Sequence, residues 1–377
     1  NVYFTDIPNN RVHKWNLKAK KVSVFMEKSG GANGLFFSKE GDLFACQGVS
    51  QRVTSFYLVD GGEKELLADQ YDGRPFNKPN DLWIHPNNGV FFSDPNYGRK
   101  DLSQDGEHLY FITPYRDQVI RVDKDLKRPN GVVGTPDGKT LYVADPGQGK
   151  TFCYTIDEGE EGALSGKKLF AESGSDGMTL DNKGNLYLTF GAVLVFDQKG
   201  KKIAEIKFPE RPSNVCFGGK EGKTLFVTAR TGFYSLDMKV AGAGFVDAAA
   251  AIAGDEFKIV ISCVKEKLVY DIKEFTTRTG QKVTVTFKNS DFPPHNLLFV
   301  KPGTADEVAA LAIALGAEGF AKKFRPDTDK ILWGSTMLDH GQEATINFVA
   351  PAPGDYPYIC TFPGHHILMR GVMHVVK

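Results

Sequence analysis

The chain of 377 residues is short of several things, and each shortage narrows what it can be. No apolar run approaches the roughly 20 residues that a helix needs to cross a bilayer, so no membrane span is expected. Charge of one sign is not in excess, since 46 basic residues offset 46 acidic ones. There is therefore no electrostatic case for nucleic acid or an anionic membrane surface as a partner. Cysteine is sparse at five, and Cys46, Cys153, Cys216 and Cys263 show neither zinc nor disulfide spacing. The first three lie in strand-like apolar runs and are expected to be reduced packing residues. Histidine is limited to eight, with no His-x-His pair, which argues against the several copper centres of a multicopper oxidase. No signal peptide is seen from Asn1 onward, as expected of a mature protein that has lost one.

What is present is concentrated near the C-terminus. Cys360-Thr361-Phe362-Pro363-Gly364-His365-His366-Ile367-Leu368-Met369 holds a thiol, an imidazole and a thioether within ten residues. Pro363 and Gly364 turn the loop so that Cys360 and His365 converge, and Met369 follows four residues later. A second imidazole comes from Pro293-Pro294-His295-Asn296. Two nitrogens and a thiolate with a weak axial thioether describe a type 1 blue-copper electron-transfer centre. His366 is the competitor for His365; the Phe-Pro-Gly-His order favours His365. His340, Met373 and His374 read as surface or packing residues.

The same motif carries a resemblance. Residues 255–377 resemble the azurin and plastocyanin family of cupredoxins, Cys-x4-His-x3-Met being azurin's spacing. The resemblance implies copper on His295, Cys360, His365 and Met369, with Asn296 tying the two ligand loops together. It also implies a redox partner protein and a periplasmic or secreted location. Strand-like runs at Phe257–Cys263, Lys282–Phe287 and Thr345–Val349 suit a Greek-key β-sandwich. Residues 305–324 read as a helical insertion presenting Val308, Leu311, Ile313, Leu315 and Phe320.

Residues 1–240 repeat. A strand ending in small or polar residues begins at Val2, Leu43, Val90, Leu141, Leu186 and Leu225, preceded mostly by tight-turn residues such as Asn88-Gly89 and Asp137-Gly138. Six copies at a spacing of about 40–50 residues mean a six-bladed β-propeller, so the fold class is all-β. Ahead of these strands stand Asn33, Asn80, Asn130, Asp176 and Asn214, read as a ring of side-chain oxygens facing a central channel. Such oxygens suit calcium or another hard divalent cation.

Arg128-Pro129-Asn130-Gly131, Pro136-Asp137-Gly138-Lys139-Thr140-Leu141-Tyr142-Val143 and Ser175-Asp176-Gly177-Met178 make this region similar to the gluconolactonase and regucalcin family. The resemblance implies a divalent ion on Asn130 and Asp176, and a substrate contact from Asn80, with the basic Lys78 two positions earlier. The family's third ligand, a Glu on the first inner strand, would fall before Val2. Five inner strands for six second strands lead to the expectation that a segment preceding Asn1 belongs to the first blade. Catalysis by Asp176, Asn80 and Lys78 on a small sugar lactone is one expectation for this domain. A non-catalytic ligand-binding or docking module for the copper carrier is the other. Residues 241–254, rich in Ala and Gly, read as a linker.

Overall fold

The computed structural model describes all residues except 39–40, 59–60, 99–100, 158–161 and 246–254. Two compact units emerge, Asn1–Asp247 and Ala248–Lys377. The expected linker falls mostly on 246–254, outside the described residues, as does its run of four alanines.

In the first unit the described residues form six antiparallel sheets of three or four strands, in sequence order, with a small two-stranded hairpin between the second and third. These are six blades. Leu43–Gln47 and Val90–Asp94 are buried along their whole length, and the other second strands along most of theirs except the half-buried Val2–Asp6, because a blade is covered by neighbours on both faces. Their unbroken apolar character in the sequence has this cause. Outer strands such as Lys202–Ile206 are largely exposed. The ring closes where Phe4 of the first blade stacks on Phe233 of the last, centroids 4.6 Å apart. The predicted tight turns occur. Gly138 takes φ +73°, and a Cβ there would lie 2.6 Å from the His85 ring.

The recurrent aspartate closing the second strand has a structural role. Asp94, fully buried, accepts the backbone N–H groups of Asn77 (2.8 Å) and Lys78 (2.7 Å). Asp145 does the same for Lys127 (2.8 Å) and Arg128 (2.9 Å). Hydrogen bonds to an ionised acceptor contribute about 1.5–3 kcal/mol each. They pin the loop entering the inner strand of the same blade and so fix where Lys78 and Arg128 stand.

The second unit is a two-sheet sandwich. One sheet runs Val269–Tyr270, Glu256–Val264, Lys282–Lys288, Glu343–Val349; the other runs Glu274–Arg278, Arg370–Val376, Gly354–Ile359, Leu298–Val300, Ile331–Gly334. Neighbours distant in sequence give the crossed order of a Greek key. Lys282–Lys288 alternates between core and solvent, as a strand covered on one face should. Tyr270, Phe287, Phe299, Tyr358 and Met373 fill the space between the sheets.

The insertion is shorter than expected. The helix is Ala305–Ala314, followed by a 3-10 turn Gly316–Glu318, because Gly316 turns to φ +52°. Its buried face is Val308, Ala309 and Ala312, whereas Leu311, Ile313 and Phe320 are exposed. Among the described residues no helix is long and apolar enough to cross a membrane.

Candidate metal centre and propeller cavity

Three of the four expected copper ligands present their ligand atoms to one point. Cys360 Sγ lies 3.7 Å from His295 Nδ1 and 3.8 Å from His365 Nδ1, and the two Nδ1 atoms are 3.1 Å apart. All three residues are buried, and they form the single such group of His, Cys, Asp or Glu found among the described residues. Each is placed by local structure. His295 exchanges backbone hydrogen bonds with Leu338. Gly364, at φ +84°, starts the short turn His365–Ile367 that swings His365 back under Cys360. Met369 donates its amide to the His365 carbonyl (2.8 Å), and its own carbonyl accepts from Cys360 N–H (3.0 Å). Its fully buried side chain is part of the sandwich core beside Cys360.

The surroundings set the electrostatics. Burial pushes the Cys360 thiol up to about 11, while backbone N–H groups of Asn296 and Phe362 directed at the sulfur pull the other way. Burial lowers His365 to about 4, reinforced by His295. His295 is also lowered by burial, opposed by Asp291, whose Oδ2 is 3.4 Å from Nε2. With Nε2–H turned to Asp291, the Nδ1 lone pair faces the centre. Asn296 ties the loops: its Nδ2 donates to Thr361 Oγ1 and its Oδ1 accepts from Thr361 N–H, both at 2.8 Å. His366 lies outside the converging group. Met373 is core, and His374 pairs with Asp355. His340 is exposed but stacks on Phe292 at 4.8 Å. Two neutral imidazoles and a thiol, buried and convergent, suit copper.

The first unit encloses a cavity of about 1040 Å³ lined by Asn33, Lys78, Asn80, Asn130, Asp176 and others. Strand register corrects the expected ring. Val215 pairs with Val227 as Met178 pairs with Leu188 and Val132 with Val143. Ser213, not Asn214, therefore matches Asn80, Asn130 and Asp176. Asn214 sits at the next position, with Gly34, Asp81, Gly131 and Gly177. Glycine recurs there because the neighbouring blade occupies the space: a Cβ on Gly177 would lie 2.0 Å from Asn214 Oδ1, and one on Gly34 2.5 Å from Asp81 Oδ1.

Asp81 is the residue the sequence reading passed over. Its carboxylate accepts the N–H groups of Leu82 (3.0 Å) and, in the next blade, Val132 (3.0 Å). Burial pushes its pKa up to about 7, with Asp176 adding repulsion. Asp176 is thus not the only carboxylate in the ring's vicinity. Asp176 opens into the cavity yet is surrounded by protein, and that desolvation raises its pKa; Asn130 and Arg211 oppose the shift. Asn130 also donates to the Tyr97 hydroxyl (3.1 Å). Lys78 Nζ donates to the Tyr97 carbonyl (3.0 Å). The position of Asp81 beside Asn80 in the repeat was the available signal. Cys46 and Cys153 are buried as expected, but Cys216 is exposed. It lies mid-strand in Asn214–Gly218, two residues after Asn214.

Residues 1–231 match the SMP-30/Gluconolactonase/LRE-like region family, and residues 257–376 match the copper binding proteins of the plastocyanin/azurin family. A gluconolactonase of Zymomonas mobilis is 29% identical over 260 residues, spanning 60% of this chain and 72% of the relative. Auracyanin-A of Chloroflexus aurantiacus is 40% identical over 119 residues, spanning 31% of this chain and 73% of the relative. The solved structure of a gluconolactonase from Xanthomonas campestris superposes with a TM-score of 0.58 at 27% identity, covering 62% of this chain and 81% of that one. The protein is a fusion of a six-bladed propeller with a cupredoxin. It belongs to the SMP-30/gluconolactonase/LRE-like family through its N-terminal domain, and its C-terminal domain is of the plastocyanin/azurin copper-binding family, which implies a type 1 copper.

Proposed function

We propose that the protein is an electron carrier whose propeller hydrolyses a sugar lactone with the help of a divalent cation. The observation that carries the first half is the convergence of His295, Cys360 and His365 in a buried pocket. These three, together with Met369, would hold a copper ion, which would supply single-electron chemistry when bound. The chain's own part is to hold the ligand atoms rigidly, so that little rearranges when the charge changes, and to exclude water. Asn296 joins the loops and Asp291 orients His295. A redox protein is the partner, and a periplasmic or secreted location belongs to the same reading.

The second half rests on the Asn130–Asp176 pair in the cavity. These residues would hold calcium or another divalent ion, which polarises a carbonyl when bound. Asn130 turns its amide nitrogen to Tyr97 and Asp176, which leaves its oxygen for a ligand. In the hydrolysis, water adds to the lactone carbonyl carbon, the ring C–O bond breaks, and the ring oxygen takes up the proton. Asp176, at the ion, would also accept the water's proton. Asn80 and Lys78 orient the sugar hydroxyls.

The test uses two variants of the full chain. Cys360→Ser should abolish the blue band and leave lactone hydrolysis intact. Asp176→Ala should lose the bound divalent ion and hydrolysis together, and leave the band unchanged. A parent protein inactive on a broad lactone panel with metal added would instead support the binding or docking module. An active Asp176→Ala would refute the catalytic assignment.

A further inference from the structure

The register that corrects the ring also aligns the residues two positions before it. Lys78-Pro79-Asn80, Arg128-Pro129-Asn130 and Arg211-Pro212-Ser213 occupy equivalent places in three blades. In each, a proline with fixed φ separates a basic residue from the polar ring residue, so the basic side chains are presented in the same way. All three line the cavity, and Arg230 lines it as well. The opposing carboxylates number three, Asp6, Asp81 and Asp176, among the described residues. Asp81 is turned to two backbone amides and Asp6 is bonded by both oxygens to the Asn9 amide. Cationic character in the cavity is therefore in excess.

Two of these cations are held but not neutralised. Arg128 lies over the Tyr97 ring (5.5 Å) and Arg211 over the Phe190 ring (5.8 Å); neither makes a salt bridge among the described residues. Tyr97 in turn bonds Asn130, Asn130 bonds Asp176, and Arg211 acts electrostatically on Asp176. The two guanidinium groups thus belong to the blades on either side of the one that carries Asp176, and both line the same cavity. A guanidinium stacked on an aromatic ring keeps its N–H fork free, and that fork matches carboxylate and phosphate geometry.

We propose that the cavity selects a sugar lactone carrying a second, anionic group, a carboxylate or a phosphate, which Arg128 and Arg211 bind. This rests on the lactonase reading for the reaction but on the collar of cations for the substrate class. Isothermal calorimetry on the full-length protein separates the two, because it reads binding without turnover. The probes are galactonate (one acid group), galactarate (two carboxylates), 6-phosphogluconate and inorganic phosphate, at low and at moderate salt. A charge-assisted bidentate contact in a part-enclosed site predicts that the two sugar acids with a second anionic group bind at least about tenfold more tightly than galactonate, with a preference that shrinks as salt rises. The tighter of galactarate and 6-phosphogluconate names the acid. Arg128→Gln with Arg211→Gln should bring that preference close to unity; an unchanged thermal transition certifies the fold. Equal binding of galactonate, galactarate and 6-phosphogluconate by the parent protein overturns the inference, as does a preference that survives in the double variant. Inorganic phosphate binding as tightly as the sugar acids overturns the substrate class. Hydrolysis of neutral lactones without preference for the second anionic group leaves the lactonase reading intact and sinks this one. That preference without hydrolysis does the reverse.

Discussion

Removing Asn296 should uncouple the two loops that carry the copper ligands. The side chain is fully buried and makes two hydrogen bonds of 2.8 Å to Thr361, sixty-five positions away in sequence. In Asn296→Ala the Thr361 N–H, itself buried, loses its acceptor, and a buried unsatisfied amide costs about 1–3 kcal/mol. Loss of the second bond adds about 1 kcal/mol, because Thr361 Oγ1 keeps its bond to the Phe324 carbonyl. The expected destabilisation is about 2–4 kcal/mol, which for a domain of this size lowers the thermal midpoint by on the order of 10 °C. Scanning calorimetry of the metal-free full-length protein should show one transition moving down while the propeller's transition stays. Asn296→Asp keeps an acceptor for the Thr361 amide but loses the donor, and should fall between the two. A midpoint shift in Asn296→Ala of less than about 2 °C would refute the claim that this pair of bonds holds the loops together.

Three further outcomes follow from the same geometry. His366→Ala should leave the blue band nearly unchanged and His365→Ala should remove it; the reverse would move the ligand by one residue. With the Cys360 thiol at about 11 and His365 at about 4, copper uptake between pH 6 and 9 should release close to one proton, from the thiol. Calorimetry in buffers of different ionisation enthalpy measures this, and a release near zero would mean the thiolate already exists in the metal-free protein. The carboxyl of Asp81, raised to about 7, binds its proton more tightly in the folded state than in the unfolded one. Its contribution to stability is therefore fully present below about pH 4 and is lost as pH rises through about 7, on the order of 4 kcal/mol in all. Denaturant titrations of the propeller should show that fall, and Asp81→Asn should flatten it; an equal slope in the variant would assign the effect elsewhere.

The copper ligands were legible because three of them lie in one ten-residue loop, where local spacing alone brings donors together. The helical insertion was read too long because its apolar residues follow helical spacing past Ala314. The left-handed turn at Gly316 and packing through Val308, Ala309 and Ala312 left Leu311, Ile313 and Phe320 outside. Cys216 was misjudged for a related reason. An apolar run marks a strand, but not which of its positions the neighbouring elements leave uncovered.

The repeat by itself determined the propeller, its six blades and the polar position at the head of each inner strand, because every blade must solve the same packing problem with the same short strands. It also determined the donor set of the metal centre. Tertiary structure alone decided which residue stands at that polar position in the last blade, since pairing Val215 with Val227 shifts the place from Asn214 to Ser213. It alone joined Asp81 to the amide of Val132 in the next blade, brought Arg128 and Arg211 to the same cavity as Asp176, and tied Asn296 to Thr361. These are contacts between separate turns of chain. Their energy depends on distance and desolvation in three dimensions, and neither is written in the spacing of residues along one strand.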